Sequence, residues 1–106
     1  MRFMLKMDMP VDRGNAVIKD GSLGPTLQSI LEKLQPEAAY FHTVNGERSC
    51  FMVFDMKDPS QIPAIAEPLF QQLGARVEFS PVMNAEDLQK GLQAVAANKS
   101  ELVLEQ

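Results

Sequence analysis

The sequence predicts an α+β fold in which one antiparallel sheet carries helices on a single face, and three observations support that expectation. Residues 3–9 and 76–82 alternate between apolar and polar side chains, the period of a strand with one apolar face. An Asn45-Gly46 pair joins two β-prone runs, a strong short-range hairpin signal, because a type I′ turn needs positive φ at both central residues. Around these runs, apolar residues recur every three or four positions at Leu27 to Leu34, Ile62 to Leu73 and Leu88 to Val95, the spacing of a helix face.

In the first strand Phe3, Leu5, Met7 and Met9 fall on one side and Met4, Lys6 and Asp8 on the other, and Pro10 ends it. Residues 11–19 have helical composition. Asp20-Gly21-Ser22 and Gly24-Pro25 punctuate the chain before Leu27, Ile30, Leu31 and Leu34 resume a helical spacing that Pro36 stops. The hairpin follows as residues 38–44 and 48–54. Ser60 is the expected cap of the next helix, because it places Pro63 in the first turn, where a missing N–H is harmless; Gly74 stops the helix and Pro68 inside it should kink it. The fourth strand has Val77 and Phe79 on its apolar side. Asn84 caps a last helix, with Asp87 three residues on and Leu88, Leu92 and Val95 as its stripe. The chain shows no internal repeat. Residues 1–97 read as a single domain and residues 98–106 as a tail with a small apolar patch at Leu102, Val103 and Leu104.

β-α-β-β-α-β with a trailing helix is the split βαβ, or ferredoxin-like, arrangement, with an antiparallel sheet in the order 4-1-3-2 and both crossover helices on one face. A two-residue turn fixes the hairpin pairs: Val44 with Glu47, His42 with Ser49, Tyr40 with Phe51 and Ala38 with Val53, alternating with Phe41 opposite Cys50 and Ala39 opposite Met52. Ala39, Phe41, Cys50, Met52 and Phe54 form the more apolar set and should meet the helices, as should Phe3, Leu5, Met7, Val77 and Phe79. The opposite face then holds Tyr40, His42, Ser49, Phe51 and Val53, with Met4, Lys6, Asp8, Arg76, Glu78 and Ser80.

A chain of 106 residues with 45% hydrophobic and 23% charged side chains can bury roughly 65% of its unfolded surface, so no disulfide or metal is needed to hold it. A formal charge of -4 with scattered cations argues against nucleic-acid binding, which depends on clustered Lys and Arg. Lys6 and Asp8 interrupt the opening apolar residues, which excludes a signal peptide there, and no stretch is long enough for a membrane span. One unpaired cysteine fits a reducing compartment, so the cytoplasm is the expected location.

The second sheet face is too apolar to stay in water, given Met4, Tyr40, Phe51 and Val53, and a second subunit would cover it. Two such sheets facing each other form a dimeric α/β barrel with a polar-lined interior. "YFHTVNGERSCFMVFDM", "DPSQIPAIAEPLF" and "VEFSPVMNAEDLQKGL" resemble a family of short bacterial proteins of unknown function within the dimeric α/β-barrel superfamily, which includes muconolactone isomerase and antibiotic-biosynthesis and haem-degrading monooxygenases. The resemblance implies fold and homodimerisation. It carries no agreed catalytic residues.

Candidate chemistry therefore rests on the residues themselves. His42 projects into the expected cavity and is the usual acid or base near neutral pH. Tyr40, Ser49, Phe51, Lys6 and Asp8 would line a small-molecule site around it. Asp8 stands two strands from His42, about 9 to 10 Å away and too far for a direct hydrogen bond, whereas Glu47 lies diagonally within reach across the hairpin. A Cys50–His42 nucleophile pair is excluded by the two-residue turn, which sends them to opposite faces; Cys50 reads as a buried structural thiol. Lys6, Asp8, Arg76 and Glu78 could hold an anion or form interfacial ion pairs. The seven methionines lack metal-ligand spacing and read as core filling. "RSCFMVF" echoes an RNA-recognition strand but lacks the stacking aromatics at Cys50 and Met52, and nothing marks a haem pocket, so no cofactor or metal is expected. The leading expectation is a cytoplasmic homodimer enclosing a small-molecule cavity, acting as a cofactor-independent isomerase, a monooxygenase-like enzyme or a binder. The competing one is a non-catalytic interaction module whose open face is a packed dimer interface.

Overall fold

A computed structural model describes residues 1–97 of the chain, so the tail with Leu102, Val103 and Leu104 lies outside the described residues. The elements are β1 (Arg2–Met9), α1 (Val11–Lys19), α2 (Leu23–Leu34), β2 (Ala38–Val44), β3 (Glu47–Asp55), α3 (Ile62–Leu73), β4 (Arg76–Pro81) and α4 (Ala85–Ala97), with a 3₁₀ turn at Pro59–Gln61 ahead of α3. The sheet order is β2-β3-β1-β4 and every neighbouring pair is antiparallel. This is the expected 4-1-3-2 order counted from the other edge, in an α+β arrangement compatible with the ferredoxin-like one.

The hairpin turns as its Asn-Gly pair dictates. Asn45 and Gly46 have φ of 52° and 76°, and Val44 stands opposite Glu47, so the whole register follows the two-residue turn.

Two local expectations change. Gly24-Pro25 does not break α2 but lies in its first turn, where Pro25 forfeits an N–H that would have had no helical partner. Asp58, rather than Ser60, makes the cap before α3: its carboxylate accepts from the Ser60 N–H at 2.9 Å, while the Gln61 side-chain oxygen accepts from the Asp58 N–H at 3.2 Å. Pro63 still falls in the first turn of α3. The helix runs on through Pro68, which leaves the Ala64 carbonyl without its usual N–H donor. The Lys33 ammonium on α2 donates to that carbonyl at 3.2 Å.

Gly74 ends α3 at φ 61°, and a Cβ there would meet Arg13 Nε at 2.4 Å. The Arg13 side chain lies over this glycine and donates from Nη2 to the Gln72 carbonyl at 3.2 Å, tying α1 to the last turn of α3.

Leu5, Met7, Met9, Cys50, Met52 and Phe54 form the sheet's buried layer, and Val17, Ile30, Leu34, Ile65, Leu69 and Leu73 cover it from the helices. Phe3, Ala39, Val77 and Phe79 pack at its margin. Phe41 departs from expectation: its side chain is on the helix side, yet it is 55% exposed, because β2 is an edge strand and the helices do not reach over its middle. In α4 the expected cap forms in both directions, Asp87 N–H to Asn84 Oδ1 at 2.8 Å and Asn84 N–H to Asp87 Oδ2 at 3.1 Å. No residue of α4 is buried, and its stripe of Leu88, Leu92 and Val95 is about half exposed.

Candidate functional site

The register lines up residues of the open sheet face in rows that cross all four strands. The row nearest the hairpin turn is His42, Ser49, Asp8 and Arg76; the next is Tyr40, Phe51, Lys6 and Glu78; the third is Ala38, Val53, Met4 and Ser80. Charged residues thus occupy the β1 and β4 positions of the first two rows, the aromatic pair Tyr40 and Phe51 lies in the second, and the third is mostly apolar. All six residues expected to line the site, namely Tyr40, His42, Ser49, Phe51, Lys6 and Asp8, sit on it within the first two rows.

The charged row is built rather than merely adjacent. Ser49 is 5% exposed, and its hydroxyl donates to Asp8 Oδ1 in a short hydrogen bond. Arg76 Nη2 meets both oxygens of the Glu47 carboxylate at 2.6 Å, an ion pair that spans from the hairpin end of β3 to β4. Glu47 is therefore taken by Arg76, whose guanidinium forms charge-assisted bonds with it, and is not the partner of His42. His42 is exposed and rests edge-on against Phe51, ring centroids 5.4 Å apart at 73°. Tyr40 packs on the same ring, with centroids 5.6 Å apart and planes tilted by 37°, so Phe51 touches both the phenol and the imidazole.

Sequence reasoning missed both polar links. Each depends on how β1 and β4 pair with their neighbours, and no turn fixes that register as Asn45-Gly46 fixes the hairpin.

Cys50 lies on the other face opposite Phe41, 1% exposed. Burial, aided by the negative charge of Asp8, pushes its thiol up to about 11. The thiol is accordingly protonated at pH 8, and Cys50 should resist iodoacetamide in the native protein while reacting fully in denaturant, as read by mass spectrometry. Because its folded pKa is raised above the unfolded value, folding stability should also decline as the pH climbs from about 9 toward 11.

A concavity opens on the helix side of the sheet. It is a crevice of about 350 Å³ between Phe41 on β2 and Leu23 and Leu27 on α2, with Met7, Met9, Cys50 and Arg48 in its lining; His42, Thr43 and Ser49 of the hairpin strands also contribute to its wall. Among the described residues no group of three or more His, Cys, Asp or Glu side chains is placed to hold a metal ion. No described helix is long and apolar enough to cross a membrane.

No curated protein and no solved structure matches the chain significantly. Residues 1–96, from β1 into α4, match the family described as a domain of unknown function, DUF3303. The chain belongs to that domain-of-unknown-function family.

Proposed function

We propose that two copies of this chain pack through their open sheet faces as a cytoplasmic homodimer and enclose a small-molecule cavity, with His42 as its acid or base. The observation that carries this reading is the open face itself. It exposes Tyr40 at 60% and leaves Phe51, Val53 and Met4 part-exposed next to a polar row whose Ser49–Asp8 and Arg76–Glu47 links are already made. Preset polar groups beside aromatic walls are what a small-molecule site needs, because they orient a ligand without first reorganising. Lys6 and Asp8 would then bind the ligand's polar groups, Tyr40 and Phe51 would flank its apolar part, and His42 would move a proton in a cofactor-independent isomerisation or oxygenation. The uncovered stripe of α4 adds apolar surface that a second copy would shield.

A packed, non-catalytic interface is the second reading, and the Ala38, Val53 and Met4 row favours it, since those side chains can fill the space between two sheets without any ligand.

Light scattering on the purified chain at micromolar concentration should give twice the chain mass. Phe51→Glu, which puts a charge into the middle of the interface, should give a single chain, and His42→Ala should remain dimeric. A single-chain mass for the unaltered protein overturns the proposal. Native mass spectrometry separates the two readings: a retained small molecule that His42→Ala holds less well supports the cavity, and a ligand-free dimer with side chains filling the inter-sheet space in a crystal structure supports the packed interface.

A further inference from the structure

We infer that the crevice between β2 and α2 is a separate binding site, on the face away from the open sheet surface, for a small amphipathic anion: its apolar tail lies against Phe41, Leu23 and Leu27, and its charged head sits on Arg48. The first support is Phe41. A large aromatic side chain on the helix side of the sheet belongs in the core, yet it is 55% exposed and walls a space of about 350 Å³. That volume lies within the range of small-molecule sites, and the lining is almost wholly apolar.

The second support is Arg48, the one Lys or Arg among the described residues that line the crevice. Its guanidinium lies on α1 because residue 14 is glycine; a Cβ at Gly14 would meet Arg48 Nη1 at 2.5 Å. Nη2 donates to the Asn15 side-chain oxygen at 3.1 Å, a neutral partner. Arg2, Lys57 and Arg76 are each paired with a carboxylate, but among the described residues Arg48 forms no ion pair. The same holds for Lys19, which shares with Arg48 the groove along α1 on the outer side of the guanidinium. Asp12 also lines that groove, with one carboxylate oxygen accepting from the Arg13 backbone N–H at 2.9 Å. In a chain of net charge -4, a guanidinium without a carboxylate partner in the wall of an apolar crevice can take an anion. A guanidinium does so best with a planar carboxylate, through two parallel N–H···O bonds, while the crevice takes an alkyl or aryl tail.

The test is an NMR titration of the full chain with octanoate, using 1-octanol as the uncharged control. Octanoate should shift the methyl resonances of Leu23, Leu27 and Met9 saturably and bind about tenfold or more tightly than octanol, the difference a charged hydrogen-bonded head supplies. Arg48→Met should remove that advantage and leave octanol binding unchanged, whereas Arg48→Lys, which keeps the charge without the fork, should retain part of it. Phe41→Ala should weaken both ligands. Absence of saturable shifts, equal affinity for octanoate and octanol, or an Arg48→Met variant that binds octanoate normally would each overturn the site. So would shifts confined to Tyr40 and Phe51, which would place the ligand on the open face. Crevice methyls that shift with protein concentration alone would show that a second copy fills the space, and that too overturns it.

Discussion

Leu69→Ala is expected to cost about 3 kcal/mol of folding stability, read as a lower urea midpoint with an unchanged slope and as a fall in Tm of about 12 °C or more. Leu69 is 1% exposed and sits in the middle of the buried cluster where α3 meets the sheet. Truncation removes its transfer free energy and leaves a cavity that the sheet and the flanking helices cannot collapse into. The neighbouring residue is the control: Phe70 is 43% exposed on the outer side of α3, so Phe70→Ala should cost under about 1 kcal/mol although it deletes more atoms. Equal losses at the two positions would mean that the rotation of α3 on the sheet is wrong, and with it the division of the sheet into a covered and an open face.

Asp8→Ala should cost about 2 kcal/mol, more than an exposed carboxylate is worth, because it leaves the Ser49 hydroxyl buried without its acceptor. Ser49→Ala should cost less, since the carboxylate that remains can turn to water. The double variant should be less destabilised than the sum of the two, and the difference measures the hydrogen bond between them. Strict additivity in urea denaturation would show that the two side chains are not coupled and that the polar row is four neighbours rather than a built unit. The same pair of variants bears on the site: if ligand binding depends on a preset polar row, either one should weaken it while His42→Ala leaves stability unchanged.

Much of this layout is legible in the residues because it follows from local rules. Asn45-Gly46 sets a two-residue turn, and a period of two then decides which face every hairpin residue occupies, separating His42 from Cys50. Proline was legible only in part. Pro25 lies in the first turn of α2, whose N–H groups have no partners, instead of breaking the chain ahead of it; Pro68 sits inside α3 as expected, but that Lys33 from another helix answers its orphaned carbonyl is not visible in local spacing. Phe41 falls on the expected side but is not covered, because alternation tells which side of a strand a residue is on, not how far a helix extends over that side.

By itself, then, the sequence determined the order and type of elements, the hairpin register and the membership of the open face, all of which depend on near neighbours and on the strand period. Only the tertiary structure decided what the face amounts to. Ser49 meets Asp8, Arg76 takes Glu47 away from His42, and Phe41 stands over a crevice with Arg48 in its lining. The two polar links join residues 29 or more positions apart, where strands from distant parts of the chain are paired. Their geometry depends on inter-strand register and helix placement, which the packing of the whole core sets and no local spacing encodes.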